Sequence, residues 1–314
     1  MRRVAAALVL VVLLAGVMAF WPRAAPSTGA WLAAARLEPR YERVEGLRLR
    51  YVRRGRGPTV VLLHGIASSL YTWKDVLPGL ATTHDVIALD FPGFGGSDLA
   101  PGLSAEGLRN AVVGLLDRLA IPRTRLVGNS LGGAVACLVA ARQPWRVSGL
   151  VLIDAAGFRM DAESRPALLR ALGGMLGSAV ELLPRPRPLV ALGLRQVFHD
   201  QTRITREKID EYEAPLLRPG ALATLRALLN TPAPSAAEFE VMLGGVRAPT
   251  LVIWGAEDRW IPVADAERFA AAIPGARRVV FPACGHMPQE ERPEETLRLV
   301  EEFLATSSDS REEG

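Results

Sequence analysis

Leu126-Val127-Gly128-Asn129-Ser130-Leu131-Gly132-Gly133, led by an apolar run and followed by Ala134-Val135-Ala136-Cys137-Leu138-Val139-Ala140-Ala141, reads as a short strand, a tight turn and a helix. Its Gly-x-Ser-x-Gly pattern puts Ser130 at the apex of the turn, where a serine hydroxyl projects from the top of a sheet as a nucleophile. The spacing has a steric reason. Strand and helix pass so close that side chains two residues before and two after Ser130 would collide, hence Gly128 and Gly132. The helix starting beside Ser130 also aims unsatisfied backbone N–H groups at charge that develops there. An ordinary Gly-rich turn has the same letters; the flanking strand and helix favour the nucleophile.

Outward from this turn, strand and helix signals alternate. Leu47-Arg48-Leu49-Arg50-Tyr51-Val52 alternates apolar and polar, as a half-exposed strand near a sheet edge does. Thr59–Leu63 is wholly apolar after its first residue, as a buried parallel strand is, and ends in His64-Gly65-Ile66. Asp85–Asp90 is a strand that runs into a loop of turn residues at 91–98, and Ser104 caps a helix reaching Ala120. Val147–Ile153 is a further strand, ending at Asp154. From Gly157 to Gly245 the pattern is helical, broken by prolines and glycines, most clearly at Leu183-Pro184-Arg185-Pro186-Arg187-Pro188. Alternation resumes with Thr250–Trp254, a helix over Val263–Ala272, the strand Arg278–Phe281 and a last helix over Pro293–Leu304. This is a mostly parallel α/β sheet interrupted once by a helical insertion. The organisation expected is an N-terminal segment 1–21, a linker 22–42, a core in two parts (43–156 and 246–305), a helical lid 157–245 and a disordered tail 306–314.

The 314 residues are 49% hydrophobic and carry a net charge of +4. Residues 1–57 hold eleven arginines against three acids, a balance of +8, which leaves −4 for the rest. A basic arm beside an apolar segment suits anionic lipid head groups. Without interleaved aromatic and basic residues, no nucleic-acid partner is expected. Met1-Arg2-Arg3 precedes seventeen uncharged residues, Val4–Phe20, long for a signal peptide and just short of an ideal spanning helix. Phe20, Trp21 and Trp31 resemble interfacial anchors. We therefore expect an uncleaved membrane anchor with the catalytic body outside the cytoplasm, although flanking arginines balance on the two sides; secretion after cleavage at Val17-Met18-Ala19 is the alternative. Two cysteines, Cys137 and Cys284, make no disulfide framework, and whether they pair is left open. Four scattered histidines lack metal-ligand spacing, so no metal or other cofactor is expected.

A serine hydroxyl needs a base, and the base an anion behind it. His286, in Pro282-Ala283-Cys284-Gly285-His286-Met287-Pro288, follows the last strand and opens on the same sheet edge as Ser130. His64 belongs to the loop after a central strand and shapes it, whereas His84 and His199 lack a comparable context. For the acid, Asp258 follows the strand before that of His286; Asp154, at the end of another strand, is the rival, and Glu257 is one residue away. The N–H groups of Leu131 and Ile66 are the expected oxyanion donors.

Together, His64-Gly65, Asp90-x-Pro92-Gly93-x-Gly95-x-Ser97, Gly128-x-Ser130-x-Gly132-Gly133, Asp258, Gly285-His286 and Glu291-x-Pro293 resemble the α/β-hydrolase superfamily over roughly residues 45–305. The resemblance implies an eight-stranded, mostly parallel sheet flanked by helices, with a helical lid after the sixth strand. It is nearest to membrane-anchored esterases and monoacylglycerol-type lipases. Ser130 stands where haloalkane dehalogenases and many epoxide hydrolases carry aspartate. Asn129 matches hydrolases of aromatic ring-cleavage products, but Met287 stands where these usually have an aromatic residue. The function implied is ester hydrolysis through an acyl-enzyme on Ser130, acting on hydrophobic or lipid-derived esters. Alternatives are a C–C bond hydrolase, a cofactor-free haloperoxidase or perhydrolase, and a non-catalytic binding protein. The sequence does not indicate an oligomeric state.

Overall fold

Strands that are apolar at every position are stable only when both faces are covered, and that arrangement organises this chain. The computed structural model describes residues 29–309 except 101, 159–164, 175–176, 178–179, 181–185 and 233. Eight strands form one sheet: β1 Arg40–Val44, β2 Leu47–Arg54, β3 Thr59–Leu63, β4 Asp85–Leu89, β5 Thr124–Asn129, β6 Val147–Ile153, β7 Thr250–Gly255 and β8 Arg277–Phe281. Their order is β1-β2-β4-β3-β5-β6-β7-β8. β1 pairs with β2 and β2 with β4 antiparallel; all other pairings are parallel.

The two-residue period divides the core. Val61, Leu63, Ile87, Leu89, Leu126, Leu152 and Trp254 face one side, and Val60, Leu62, Val86, Val127, Val151, Ile153 and Ile253 face the other. The helices, in chain order, are α1 Ala30–Ala34, α2 Leu77–Leu80, α3 Ala105–Arg118, α4 Leu131–Arg142, α5 Ala167–Gly173, α6 Arg187–Val197, α7 Arg206–Glu213, α8 Ala221–Leu229, α9 Ala236–Leu243, α10 Ala264–Ala272, α11 Pro288–Glu291 and α12 Pro293–Asp309. Leu108, Val112 and Leu115 of α3, Val135 and Val139 of α4 and Phe269 of α10 cover the first face. Leu77 and Leu80 of α2 with Val300, Phe303 and Leu304 of α12 cover the second. Cys137 and Cys284 belong to opposite faces and are both free and buried, so the bridge left open above is not formed.

Two expected boundaries are corrected. The short helical piece expected around Ala30–Arg36 is present as α1, but the linker expected over 22–42 runs into β1, which the boundary at residue 42 cuts. β1 has little apolar patterning because it lies at the edge with mostly exposed side chains; Val44 is its buried contact, packed on Gly114 of α3. The tail expected to be disordered from 306 instead continues α12 to Asp309. Thr306 does not end the helix, since its hydroxyl donates back to the carbonyls of Glu302 and Phe303. Between β6 and β7 the described segments contain α5–α9 and no strand. The first part of the proline-broken stretch, 183–185, and the anchor expected at 1–21 lie outside the described residues. Among the described residues, no helix is long and apolar enough to cross a membrane.

Candidate active site

Parallel strands deliver their carboxyl ends, and the loops that follow, to one edge, and the expected site residues gather there. Ser130 closes β5 with φ 52° and ψ −118°, strained for a residue with a Cβ. Its N–H donates to the Ile153 carbonyl at 3.0 Å, and its own carbonyl accepts from Ala134 and Ala156. Gly128 and Gly132 both lack room for a side chain, but for different reasons. A Cβ on Gly128 would lie 2.4 Å from the Gly132 carbonyl oxygen, as strand–helix crowding requires. A Cβ on Gly132 would instead meet the Leu63 oxygen at 2.1 Å, because the start of α4 lies against the end of β3.

His286 and Asp258 reach this edge from the loops after β8 and β7. His286 Nδ1 is 2.6 Å from Asp258 Oδ2, with both side chains buried. Asp258 Oδ1 accepts from the N–H groups of Trp260 (2.7 Å) and Ile261 (3.0 Å), so three donors hold this carboxylate. The histidine backbone is pinned as well: its N–H donates to the Val197 carbonyl at the end of α6, and its carbonyl accepts from Asn129 Nδ2 at 3.1 Å. Glu291 accepts from the N–H groups of Gly285, His199 and Asp200. His286 Nε2 is buried with no hydrogen-bond partner, and it shares a cavity with Ser130.

The rival acids take other places. Glu257 accepts from the Cys284 N–H and clamps the histidine loop. Asp154 is buried behind Asp258, and its Oδ1 accepts from the Gly255 N–H. Burial first, then the Asp258 charge, hold the Asp154 carboxyl well above the usual carboxylate range. His64 is distant in role: its Nε2 accepts from the Phe91 N–H, so its Nδ1, 2.7 Å from the Gly65 carbonyl, carries the proton. Burial keeps that ring neutral. A Cβ on Gly65 would lie 3.2 Å from Ser130 Cβ, so the loop carrying Ile66 runs beside the serine. Ile66 and Leu131 both line a cavity with Ser130. His84 is engaged with Thr83 at the start of β4, away from this edge.

Two cavities meet at Ser130. One is walled by Leu168, Leu172, Val190, Leu194 and Leu225 from the inserted helices, with Met287 and His286. The other is walled by Leu131, Leu228, Leu229, Pro232 and Ile261, with Arg165 at its side. Ser130, Ile66, Leu169 and Trp260 line both. Sequence reasoning did not single out Trp260, whose ring lies 5.7 Å from the His286 imidazole; its position two residues after Asp258 was the available signal. Among the described residues, the grouping with metal-ligand spacing is Asp154, Asp258 and His286, with one ligand atom of each within 4.8 Å of the others. The backbone donors on Asp258 and the Gly255 N–H on Asp154 make it a hydrogen-bonded charge network.

Known proteins are similar to this chain in sequence and fold. A model of the alpha/beta hydrolase fold family matches residues 58–293. A 2-hydroxy-6-oxo-6-phenylhexa-2,4-dienoate hydrolase from Comamonas testosteroni is 33% identical over 264 residues, 82% of this chain and 91% of the relative. The structure of a membrane phospholipase A, described as a bacterial virulence factor, superimposes with a TM-score of 0.74 at 27% identity, over 99% of this chain and all of the other. That of a meta-cleavage product hydrolase from Pseudomonas fluorescens does so with a TM-score of 0.73 at 28% identity, over 85% of this chain and 98% of the other.

Proposed function

The chain belongs to the α/β-hydrolase fold family, and on that premise we propose that it hydrolyses carboxylic esters with hydrophobic groups on both sides of the ester bond. The observation that carries this reading is the pair of largely apolar cavities that converge on Ser130. An ester carbonyl placed at Ser130 would direct its acyl chain into one cavity and its alcohol into the other.

In this reading His286 Nε2 takes the Ser130 proton as Oγ attacks the carbonyl carbon. The N–H groups of Ile66 and Leu131 stabilise the resulting oxyanion, by about 3 kcal/mol for each donor. His286 then protonates the departing alcohol, and water, activated by the same nitrogen, releases the acid and regenerates Ser130. Asp258 orients the imidazole through Nδ1 and stabilises its cationic form. The inserted helices act as a lid that excludes water from both cavities. Attachment to a membrane through residues 1–21 is supported by the uncharged run Val4–Phe20 and by the likeness to the membrane phospholipase A. A lipid-derived ester fits both features.

A second reading, hydrolysis of a C–C bond in a ring-cleavage product, is favoured by the Comamonas relative and by Arg165. Arg165, whose Nη1 donates to the Leu229 carbonyl, lines the second cavity, where its charge would favour the carboxylate of a dienoate.

The test compares the full-length chain with Ser130→Ala on p-nitrophenyl esters of increasing acyl length and on 2-hydroxy-6-oxo-6-phenylhexa-2,4-dienoate. Ester turnover lowered at least about a thousandfold by the substitution supports the first reading. Dienoate cleavage with inert esters replaces it with the second. Activity unchanged in Ser130→Ala removes both.

A further inference from the structure

We propose that Asp154 is a protonated carboxylic acid that donates a hydrogen bond to Asp258 and thereby serves as a positioning residue for His286. This rests on His286 acting as the base for Ser130.

The geometry leaves one place for a proton. A carboxylate oxygen of Asp154, one of Asp258 and a ring nitrogen of His286 lie within 4.8 Å of one another. Asp154 is fully buried, and so is the Asp258 side chain. Two bare carboxylates at that separation, out of water, repel each other and lose their hydration, so one of them takes up a proton. The hydrogen bonds say which. Asp258 receives three donors, from Trp260, Ile261 and His286, the surroundings of an ion. Asp154 receives one, from Gly255 to Oδ1, while its Oδ2 is buried with no donor in reach. A proton on Oδ2, shared with Asp258, satisfies that atom and removes the repulsion.

The other titratable groups facing Asp154 point the same way. Glu291 of α11 adds negative charge, and Cys284 is a buried thiol whose own ionisation is opposed by burial. A ring nitrogen of His286 lies within 4.8 Å as well, and its Nδ1 is engaged by Asp258 Oδ2. The backbone also marks the position. Asp154 sits at φ 44°, a left-handed conformation unfavourable for a residue with a side chain, at the point where β6 ends beside β7. Its N–H donates to the Ile253 carbonyl while its carboxyl reaches the next peptide pair at Gly255. The acid of β6 is thus clamped to the strand whose following loop carries Asp258.

A neutral Asp154 and an ionised one predict opposite results for Asp154→Asn, which keeps the shape, the acceptor for Gly255 and a donor for Asp258. With a neutral Asp154, kcat/KM stays within about threefold of the parent, and the acid limb of its pH profile does not move. With an ionised Asp154, removing an anion near the imidazole destabilises the imidazolium, and that limb falls by about one pH unit or more; this overturns the proposal. Asp154→Ala removes the donor and is expected to lower kcat ~10- to 100-fold with KM little changed; an unaltered kcat overturns the positioning role. A readout independent of turnover keeps the inference separate from the esterase reading. The infrared difference spectrum between the parent and Asp154→Asn at neutral pH should contain the C=O stretch of a protonated carboxyl group. Its absence refutes the protonated acid even if the chain proves to be an esterase, and its presence stands even if no ester is cleaved.

Discussion

The Asn129 side chain donates one hydrogen bond to the carbonyl of His286 and another to that of Ile153, both at 3.1 Å. The residue before the serine therefore holds the loop of His286 against β6. Asn129→Ala should leave two buried carbonyls without this donor. We expect kcat to fall roughly tenfold or more with little change in KM, because the histidine is displaced rather than the substrate pocket. Steady-state kinetics on a soluble ester check this.

Lys208 of α7 and Glu290 of α11 form a buried ion pair, and Glu290 also accepts from Thr72 and Tyr212. The pair fastens the insertion to the segment just after His286. Lys208→Met should cost about 3–5 kcal/mol by leaving a buried carboxylate uncompensated. Lys208→Met with Glu290→Gln should cost less than Lys208→Met alone. Urea midpoints of the single and double variants decide it.

His64 is held neutral by burial, with its pKa lowered from 6.5. The unfolded chain binds a proton there that the folded chain does not. Its contribution to stability is therefore complete above the unfolded value and is lost as pH falls from 6.5 toward the depressed folded value. The loss from one group is at most about 1.4 kcal/mol per pH unit. His64→Gln should flatten the dependence of the denaturation midpoint between neutral and mildly acidic pH, although it lowers stability at neutral pH.

Trp260 forms part of the wall of both cavities. Trp260→Ala joins the two spaces while leaving the backbone N–H that Asp258 accepts. On the esterase reading, preference among acyl lengths should broaden, chiefly through KM, which a chain-length series of p-nitrophenyl esters measures. A profile unchanged in shape would show that the indole does not separate the two arms.

Much of this was legible in the sequence because its physics is local. The apolar runs Thr59–Leu63 and Val147–Ile153 require a sheet covered on both faces, and Gly128-x-Ser130-x-Gly132 in a strand-turn-helix context requires a strained turn there. Position after a parallel strand was enough to send Ser130, Asp258 and His286 to one edge. β1 was not legible, since an edge strand with exposed faces has no alternation to show. Neither was the end of α12, where the Thr306 hydroxyl bonds back to the helix in place of the expected stop.

What the tertiary structure alone decided is the different surroundings of two aspartates. Asp154 and Asp258 both follow parallel strands, and the sequence favours Asp258 only through its place just before the strand of His286. The choice depends on which carboxylate receives the donors of Trp260, Ile261 and His286 and which is buried against its neighbour with a single one. Those contacts join loops far apart in the chain, so only the packed sheet brings them together. The same holds for the two cavities, whose walls are drawn from the strand ends and from helices inserted between β6 and β7.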